Sequence, residues 1–341
     1  MTAPMLFSSL LRQPVLVTLG RYARLTILLA TVAGALPGCS DDDETESAPT
    51  APDRITVPQA GLHPEGIQYD EVNKRFLVSS RTQGKIGSVK DDSTYTQFAD
   101  EPRLISTIGL NLDASRNRLL VAVSDNGANA ARTTAATLRK LAALAIFNST
   151  SGALQNYIDL GNLRPNQAHF ANDIAVDAQG NIYITDSLSP IIYKVDALGV
   201  ASVFLENNQL SGGTGFGLNG IVFHPDGYLL VAKANDGSLF KVPVATPASF
   251  TKVTTPAGLN LTGADGLLLL NPQTLLLVSG SQTTVLRLSS TDAWATTNST
   301  GSFATGAVSP TTITRRNTSD AYVLYPFQST SPRFAIVKAK F

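Results

Sequence analysis

The chain has 341 residues, of which 43% are hydrophobic and 15% charged, a composition that can bury a large core and excludes a disordered protein. Its 26 basic residues balance its 26 acidic residues, and it has neither a basic tract nor a basic amphipathic helix, so the charge pattern argues against a nucleic-acid partner. The single cysteine excludes an internal disulfide framework and a cysteine-rich zinc site.

The first 38 residues have the pattern of a secretory signal peptide. Three arginines precede the apolar run 25–38, which is too short to span a bilayer as a helix and ends at Cys39. The sequence LPGC at 36–39 resembles a bacterial lipobox, which implies cleavage after residue 38 and lipidation of Cys39. We therefore expect a protein of the bacterial cell envelope that contacts the outer membrane through this lipid alone, facing the periplasm or the surface. The alternative is a buried thiol behind an ordinary secretory signal.

Residues 39–53 are acidic and rich in Ser, Thr and Pro, which predicts a disordered tether. A short strand, RITVP at 54–58, follows this segment. We predict that everything after the tether, residues 54–341, forms one domain.

Six similar segments recur from residue 65 onward, each a short strand followed by a turn-rich stretch and two further strands. They are EGIQYD (65–70), IGLNLD (108–113), NDIAVD (172–177), NGIVFH (219–224), DGLLLL (265–270) and TTITRR (311–316). Their starts are spaced by 43, 64, 47, 46 and 46 residues. A period in the mid-forties with about four strands per copy indicates a β-propeller blade, so the chain is predicted to be an all-β, six-bladed β-propeller. An α/β fold would need helices between the strands, and five of the six intervals contain none.

The two ends of the domain are predicted to complete one blade. The last repeat ends with FAIVKAKF at 334–341, which would be its third strand, and RITVP at 54–58 can supply the missing outer strand. Such pairing removes the exposed edges that an open ring would leave. The long interval contains an insertion at 126–140, which is expected to form a short helix and overhang the channel mouth. The alternative is an ordinary surface loop.

The residues that begin the six segments should converge near the central axis. They are Glu65, Ile108, Asn172, Asn219, Asp265 and Thr311. Four of them carry carboxylate or amide oxygens, which are the ligands that calcium prefers. The pattern predicts a divalent-metal site, most simply for Ca²⁺, that leaves coordination positions for water and a substrate oxygen. The alternative is a metal-free propeller whose channel residues bind water or a structural ion.

The order Glu…Asn-Asp…Asn-Gly…Asp-Gly resembles that of the gluconolactonase/regucalcin (senescence marker protein) family of six-bladed propellers, over roughly residues 54–341. The resemblance implies that Glu65, Asn219 and Asp265 bind a divalent metal, that Asn172 contacts substrate or metal-bound water, and that Asp265 is the general base. Paraoxonases and diisopropyl fluorophosphatases have a similar ring of oxygen ligands, so the resemblance implies a class of hydrolases and not one substrate. The family's substrate-binding arginine is replaced here by Phe170.

Other polar residues are predicted to surround the same mouth. His169 and His63 stand shortly before Asn172 and Glu65, so each either moves protons at the site or is a hydrogen-bonded structural histidine. Asp173 and Arg81 are candidates for substrate binding. Loop residues expected at the rim are Arg81, Asp125, Ser187, Lys233, Asn235 and Asp236, with solvated loop residues as the alternative. His224 lies in the HPDG turn and is predicted to be a surface residue of the opposite face.

Together these features predict a monomeric, lipid-anchored, metal-dependent hydrolase of a small-molecule lactone or ester. A phosphoester is chemically related, because metal ions also polarise phosphoryl groups. The alternative is a non-catalytic propeller of the cell envelope that binds a ligand or another protein, because fold and motif do not by themselves establish activity.

Overall fold

Runs of β-branched, aliphatic and aromatic residues form short strands throughout the chain. The computed structural model describes residues 51–341, so the predicted signal peptide, Cys39 and most of the predicted tether lie outside the described residues. In this part of the chain the strands form six sheets of four antiparallel strands each, arranged as a six-bladed β-propeller. The predicted all-β fold and the number of blades are confirmed. Within residues 51–341, no helix combines the length and the apolar character needed to cross a bilayer.

The first three blades follow one another along the chain, each with its first strand innermost. A single strand, β1 (Arg54–Val57), precedes them. The first blade contains β2 (Ile67–Asp70), β3 (Arg75–Val78), β4 (Lys85–Val89) and β5 (Tyr95–Asp100). The second contains β6 (Ser106–Asp113), β7 (Arg118–Ser124), β8 (Ala142–Asn148) and β9 (Leu154–Asp159). The third contains β10 (Ala171–Val176), β11 (Ile182–Asp186), β12 (Ile191–Val195) and β13 (Ala201–Glu206).

The remaining three blades have the same order. The fourth contains β14 (Leu218–His224), β15 (Tyr228–Lys233), β16 (Ser238–Pro243) and β17 (Thr251–Lys252). The fifth contains β18 (Ala264–Asn271), β19 (Thr274–Ser279), β20 (Thr284–Ser289) and β21 (Asn298–Ala304). The sixth contains β22 (Ile313–Arg316), β23 (Asp320–Tyr325) and β24 (Phe334–Lys338). Single 3-10 turns occur at Ala114–Arg116, Gly161–Leu163, Asn208–Leu210 and Pro247–Ser249.

The first strand of the domain completes the last blade. β1 pairs with β24 in antiparallel register, with Ile55 opposite Ile336 and Val57 opposite Phe334. The ladder extends further toward the N-terminus, because the backbone N–H of Lys338 donates to the carbonyl of Asp53. Asp53, which the composition places in the predicted tether, therefore also bonds to the last blade.

Glycines at the starts of the inner strands allow neighbouring blades to approach closely. Measured from a Cβ placed on each glycine, the next inner strand lies 2.3 Å away at Gly66, 2.3 Å at Gly109, 2.2 Å at Gly220 and 2.3 Å at Gly266. The nearest atom is a backbone carbonyl in the first three cases and the hydroxyl of Thr312 in the fourth. The repeated glycine therefore marks the places where the inner strands meet around the axis.

The insertion in the second blade contains turns but no helix, contrary to the expectation from its alanine content. Arg132 donates to the carbonyls of Gly84, Glu101 and Leu104 and forms an ion pair with Asp100 at 2.7 Å. These partners belong to the first blade and its connections, so the insertion is fixed against that blade. A lid over the channel is not supported by these contacts.

His224 ends β14 at the predicted turn, but its side chain is buried and not at the surface. Its Nε2 bonds the carbonyl oxygen of Pro272 at 2.8 Å, and its Nδ1 accepts from the N–H of Asp226. The ring also stacks on Tyr228, with centroids 4.2 Å apart. The turn was predicted correctly and the exposure wrongly, because the stacking partner lies on the next strand.

We expect Gly109→Ala to lower the free energy of unfolding by about 1–3 kcal/mol, as overpacking of a tight site does. The added methyl group would meet the carbonyl oxygen of Asn172 on the adjacent inner strand. Gly215→Ala is the matched control, because its Cβ would meet only the carbonyl of Gly212 at 3.9 Å. Urea unfolding of both variants checks the prediction, which fails if the two changes cost the same.

Candidate functional site

The four predicted oxygen ligands surround one small cavity on the axis. Glu65, Asn172, Asn219 and Asp265 all line it, together with Asp173. Its volume is about 10 Å³, which is room for roughly one water molecule or one ion. We call the face of the propeller where the inner strands begin the upper face, and the cavity lies just below it. The four side chains that the sequence pattern selected therefore lie together, and their role as metal ligands stays a prediction.

A β-bulge at the start of β10, β14 and β18 aims three of these side chains at the axis. Between two successive pairs of β10 with β11, β10 advances from Ala171 to Ile174, whereas β11 advances one residue less. The same extra residue occurs between Leu218 and Ile221 in β14, and between Ala264 and Leu267 in β18. A bulge releases residues from the ladder and redirects their side chains. Asn172, Asn219 and Asp265 each lie in such a bulge.

The amide of Asn172 has a fixed orientation. Ser187 Oγ lies 2.5 Å from the carbonyl of Leu218, to which it donates its proton. Since a hydroxyl has a single proton, Ser187 must accept from Asn172, and the Asn172 atom at 2.8 Å is therefore Nδ2. The oxygen Oδ1 of Asn172 is then left on the other side of the amide and is free to bind a ligand in the cavity.

Asn219 leaves an oxygen in need of a partner. Its Oδ1 is buried and receives no hydrogen bond from any residue of the range 51–341. Its amide group lowers the pKa of the neighbouring Asp265 carboxyl, an effect smaller than the opposing effect of burial. A buried oxygen without a donor costs free energy unless a cation or a water molecule fills the position. This atom is the clearest sign that the cavity is built to hold something.

The carboxyl groups around the cavity destabilise one another when charged. Burial raises the pKa of Glu65 to about 7, Arg81 opposes this shift, and Asp173 adds to it. Burial, Glu65 and Asp173 together raise the pKa of Asp265 well above its usual range. Three acids that share a low-dielectric site cannot all ionise cheaply without a compensating positive charge.

Asp173 connects two blades at the floor of the cavity. Its carboxylate accepts from the backbone N–H of Ile174 at 2.9 Å and of Ile221 at 3.3 Å. Burial raises its pKa to about 7, and these two N–H groups oppose the shift. The side chain was predicted to bind substrate. Its bonds to the backbone also give it a structural role between the third and fourth blades.

His169 does not present a free nitrogen to the cavity. Its Nδ1 lies 2.7 Å from Asp186 Oδ2, and its Nε2 lies 2.9 Å from the carbonyl of Arg164. The side chain is 1% exposed. Burial is the largest single influence and lowers its pKa, but the hydrogen bond and the charge of Asp186, with the carbonyl of Arg164, together outweigh it and the net shift is upward. The contacts favour the structural alternative for His169 over the predicted catalytic role.

Asp186 fixes the chain segments around it by hydrogen bonds, and the sequence pattern did not single it out. Its carboxylate accepts from the backbone N–H groups of Phe170, Leu188 and Ser189 and from the hydroxyl of Tyr193. A sequence signal for this role is an aspartate at or directly after the end of the second strand of a blade, as in ITD at 184–186 and VSD at 123–125. Asp125 has the same function in the second blade, where it accepts from Thr133 and Thr137 of the insertion.

Arg81 lies close enough to the cavity to act on its charges. Its guanidinium opposes the upward pKa shifts of Glu65 and Asp265 and helps burial to lower the pKa of His63 to about 4. Its Nε is buried without a hydrogen-bond partner in the described range. Arg81 therefore has donor capacity for a ligand at the upper face. Another rim candidate, Lys233, is instead occupied by an ion pair with Asp236 at 2.9 Å.

The donor set fits an oxygen-preferring cation. Residues 51–341 contain no cluster of three or more His, Cys, Asp or Glu side chains arranged to hold a metal. The cavity instead combines the carboxylates of Glu65 and Asp265 with the amide oxygens of Asn172 and Asn219. Mixed carboxylate and amide oxygens suit calcium better than zinc. The unpartnered oxygen of Asn219 is consistent with such an ion.

Comparisons with solved structures find the same fold in proteins of different description. The allergen Mala s 1 of Malassezia sympodialis aligns with a TM-score of 0.69 at 19% identity, over 85% of this chain and 97% of its own. A gluconolactonase of Xanthomonas campestris aligns with a TM-score of 0.59 at 16% identity, over 84% and 89%. The virginiamycin B lyase of Staphylococcus aureus aligns with a TM-score of 0.55 at 10% identity, over 84% and 98%. No protein-family model and no curated protein matches the sequence. These likenesses establish the fold.

Without a divalent cation, the protein should lose stability as the pH rises from about 6.5 to 8. The pKa of Glu65 and that of Asp173 are each about 7 in the folded state, above their unfolded values. A raised pKa stabilises the fold below the unfolded pKa, and this contribution is lost as the pH rises through the folded pKa. His63 acts in the opposite direction, but only below about 6.5.

Melting temperatures measured in chelator and in excess calcium check this sign. Calcium should reduce the fall, because it compensates the charged carboxylates. Glu65→Gln should also reduce the fall in chelator, and it separates the site from His169, whose raised pKa acts in the same direction. A melting temperature that stays level or rises over this range in chelator contradicts the electrostatic account.

Proposed function

We propose that this protein is a divalent-metal-dependent hydrolase of a small lactone or ester, with Ca²⁺ held by Glu65, Asn172, Asn219 and Asp265. The observation that supports it most is the orphaned, buried oxygen of Asn219 beside carboxyl groups with raised pKa values. A gluconolactonase has the same fold, so lactone hydrolysis is compatible with this architecture. The fold alone does not establish the chemistry.

Asp265 is proposed as the general base. A bound divalent cation would supply the positive charge that ionises the surrounding carboxyls and polarises a carbonyl oxygen of the substrate. Asp265, which lines the cavity, would accept the proton of the attacking water. Asn219 lies beside Asp265 and would hold the carboxylate in place. Asn172, fixed by Ser187, would direct its amide oxygen at the ion or the substrate.

The upper face favours a substrate with an apolar group over a sugar lactone. Phe170, which occupies the position of the family's substrate-binding arginine, is buried and in contact with Phe216, with ring centroids 5.0 Å apart. Phe216 is 41% exposed and lies three residues before Asn219. An exposed aromatic ring supported by a buried one is an apolar surface. We propose that it binds an alkyl or aryl part of the substrate.

The second candidate is a propeller in which the ion is structural only. The small volume of the cavity, about 10 Å³, favours it, because an ion could fill the space without room for a reacting group. In either case we propose that the chain acts as a monomer anchored to the cell envelope through lipid on Cys39. Mass spectrometry of the mature N-terminus tests the anchor.

Asp265→Asn should separate the two candidates. In a hydrolase it should lower kcat on a panel of lactones and aryl esters by about 100-fold or more, the usual effect of losing a general base. Asp92→Asn, at an exposed turn, is the matched control and should leave kcat unchanged. Calcium should raise the melting temperature of the wild type in both candidates. Calcium-dependent stabilisation with no turnover on the panel supports the structural ion and overturns the hydrolase.

Phe216→Ala should change the preference among substrates. Losing one apolar contact should lower kcat/KM for alkyl- or aryl-substituted substrates by about 10-fold and leave polyhydroxylated lactones nearly unaffected. Leu198→Ala is the control, since Leu198 is 89% exposed in a turn on the opposite face. Equal losses for both substrate types would show that the ring supports the fold and does not select the substrate.

A further inference from the structure

A second cavity occupies the other end of the central channel. Its volume is about 280 Å³, close to the lower limit of small-molecule pockets. All six inner strands line it, and it extends to the turns that follow β2 and β6. Val72, in the first of these turns, is 82% exposed, so this end reaches the surface. We call this space the lower cavity.

About half of the residues that line the lower cavity are aliphatic. Leucine, isoleucine and valine side chains from five strands face it, among them Leu112, Ile174, Val222, Leu268 and Ile313. They enclose the lower end of the central channel, beside polar residues of the same strands. Aliphatic walls combined with placed polar groups are typical of a site for a small organic molecule.

Arg315 is the polar group that distinguishes this cavity. Its Nη2 donates to the carbonyls of Leu269 at 2.7 Å and Leu270 at 2.5 Å, which fixes the guanidinium against the fifth blade. Burial alone accounts for the lowering of its pKa, with no acidic partner among residues 51–341. The adjacent Arg316, by contrast, pairs with both oxygens of Asp91 at 2.7 Å. Arg315 is therefore a half-buried cation without a counter-ion in the part of the chain that the structure describes.

The acids that line the same cavity are already occupied. Asp70 pairs with Arg75 at 3.0 Å, and Glu71 pairs with Lys74 at 2.5 Å. Asp173, at the deep end, accepts from two backbone N–H groups. Among residues 51–341, none of these acids is left to pair with Arg315.

We propose that the lower cavity binds a small carboxylate with a short apolar body, with Arg315 holding the carboxylate and the aliphatic walls holding the body. A guanidinium matches a carboxylate with parallel N–H···O bonds, and two nitrogens of Arg315 have no partner among residues 51–341. This site lies at the opposite end of the channel from the candidate hydrolase site, and it does not depend on hydrolysis.

Hexanoate and hexanol are the probes, since they share an apolar chain and differ in charge. Titrations of the wild-type protein in chelator should show saturable binding of hexanoate, with methyl chemical-shift changes at Leu112, Ile174 and Ile313. Hexanol should bind at least tenfold more weakly. Equal binding of both probes, or shifts confined to residues around Glu65 and Asp265, would overturn the proposal.

Arg315→Gln should weaken hexanoate binding at least tenfold while leaving hexanol binding unchanged. Arg287→Gln, on the exposed face of β20, removes the same charge elsewhere and should have no effect. If Arg315→Gln fails to fold, Arg315→Lys can be used instead, because it keeps the charge but loses the forked guanidinium. This variant should bind hexanoate severalfold more weakly. Unchanged hexanoate affinity in a folded Arg315 variant rejects the role of this residue, and undetectable binding to the wild type rejects the site.

Discussion

The close approach of the inner strands around the axis is the constraint on which the rest of the structure depends. At Gly109 a Cβ would lie 2.3 Å from the carbonyl of Asn172, so a side chain there cannot be accommodated without moving a strand. The bulges that turn Asn172, Asn219 and Asp265 toward the axis lie at these same crowded starts of the inner strands. Ring closure and site assembly therefore use the same few residues. A substitution at these positions should affect stability and ligand binding together.

The buried carboxyl groups of the channel destabilise the fold when they are charged, and packing does not offset this. Glu65, Asp173 and Asp265 each have a pKa raised chiefly by burial. A propeller built for stability alone would have neutral or apolar residues at these positions, like Ile108 at the start of the second blade. Local departures from the most stable arrangement are expected at functional sites. The carboxylates are therefore more informative about function than the fold that holds them.

The repeats in the sequence were sufficient to predict the blades and the convergence of Glu65, Asn172, Asn219 and Asp265. Both follow from periodicity, since each inner strand begins at the same place in its blade. Ile108 and Thr311, predicted to join these four residues, are not among the residues that line the cavity. The roles of His169 and of the insertion could not be predicted in this way. His169 is held by Asp186, and the insertion by Arg132, through contacts that depend on the packing of loops and not on strand alternation. Position on a face follows from topology, but the direction of a side chain depends on its partners.

The channel has two ends with opposite electrostatic requirements. At the upper end, three buried acids and the amide oxygens outnumber the single nearby cation, Arg81. At the lower end, Arg315 has no acidic side chain paired with it among residues 51–341. Asp173 lies between them and lines both cavities, and its oxygens are held by backbone N–H groups of the third and fourth blades. A cation above would attract the carboxylate of Asp173, and an anion below would be repelled by it. Occupancy of one end should therefore alter the charge that the other end experiences, through a single carboxyl group that is fixed in place by the fold.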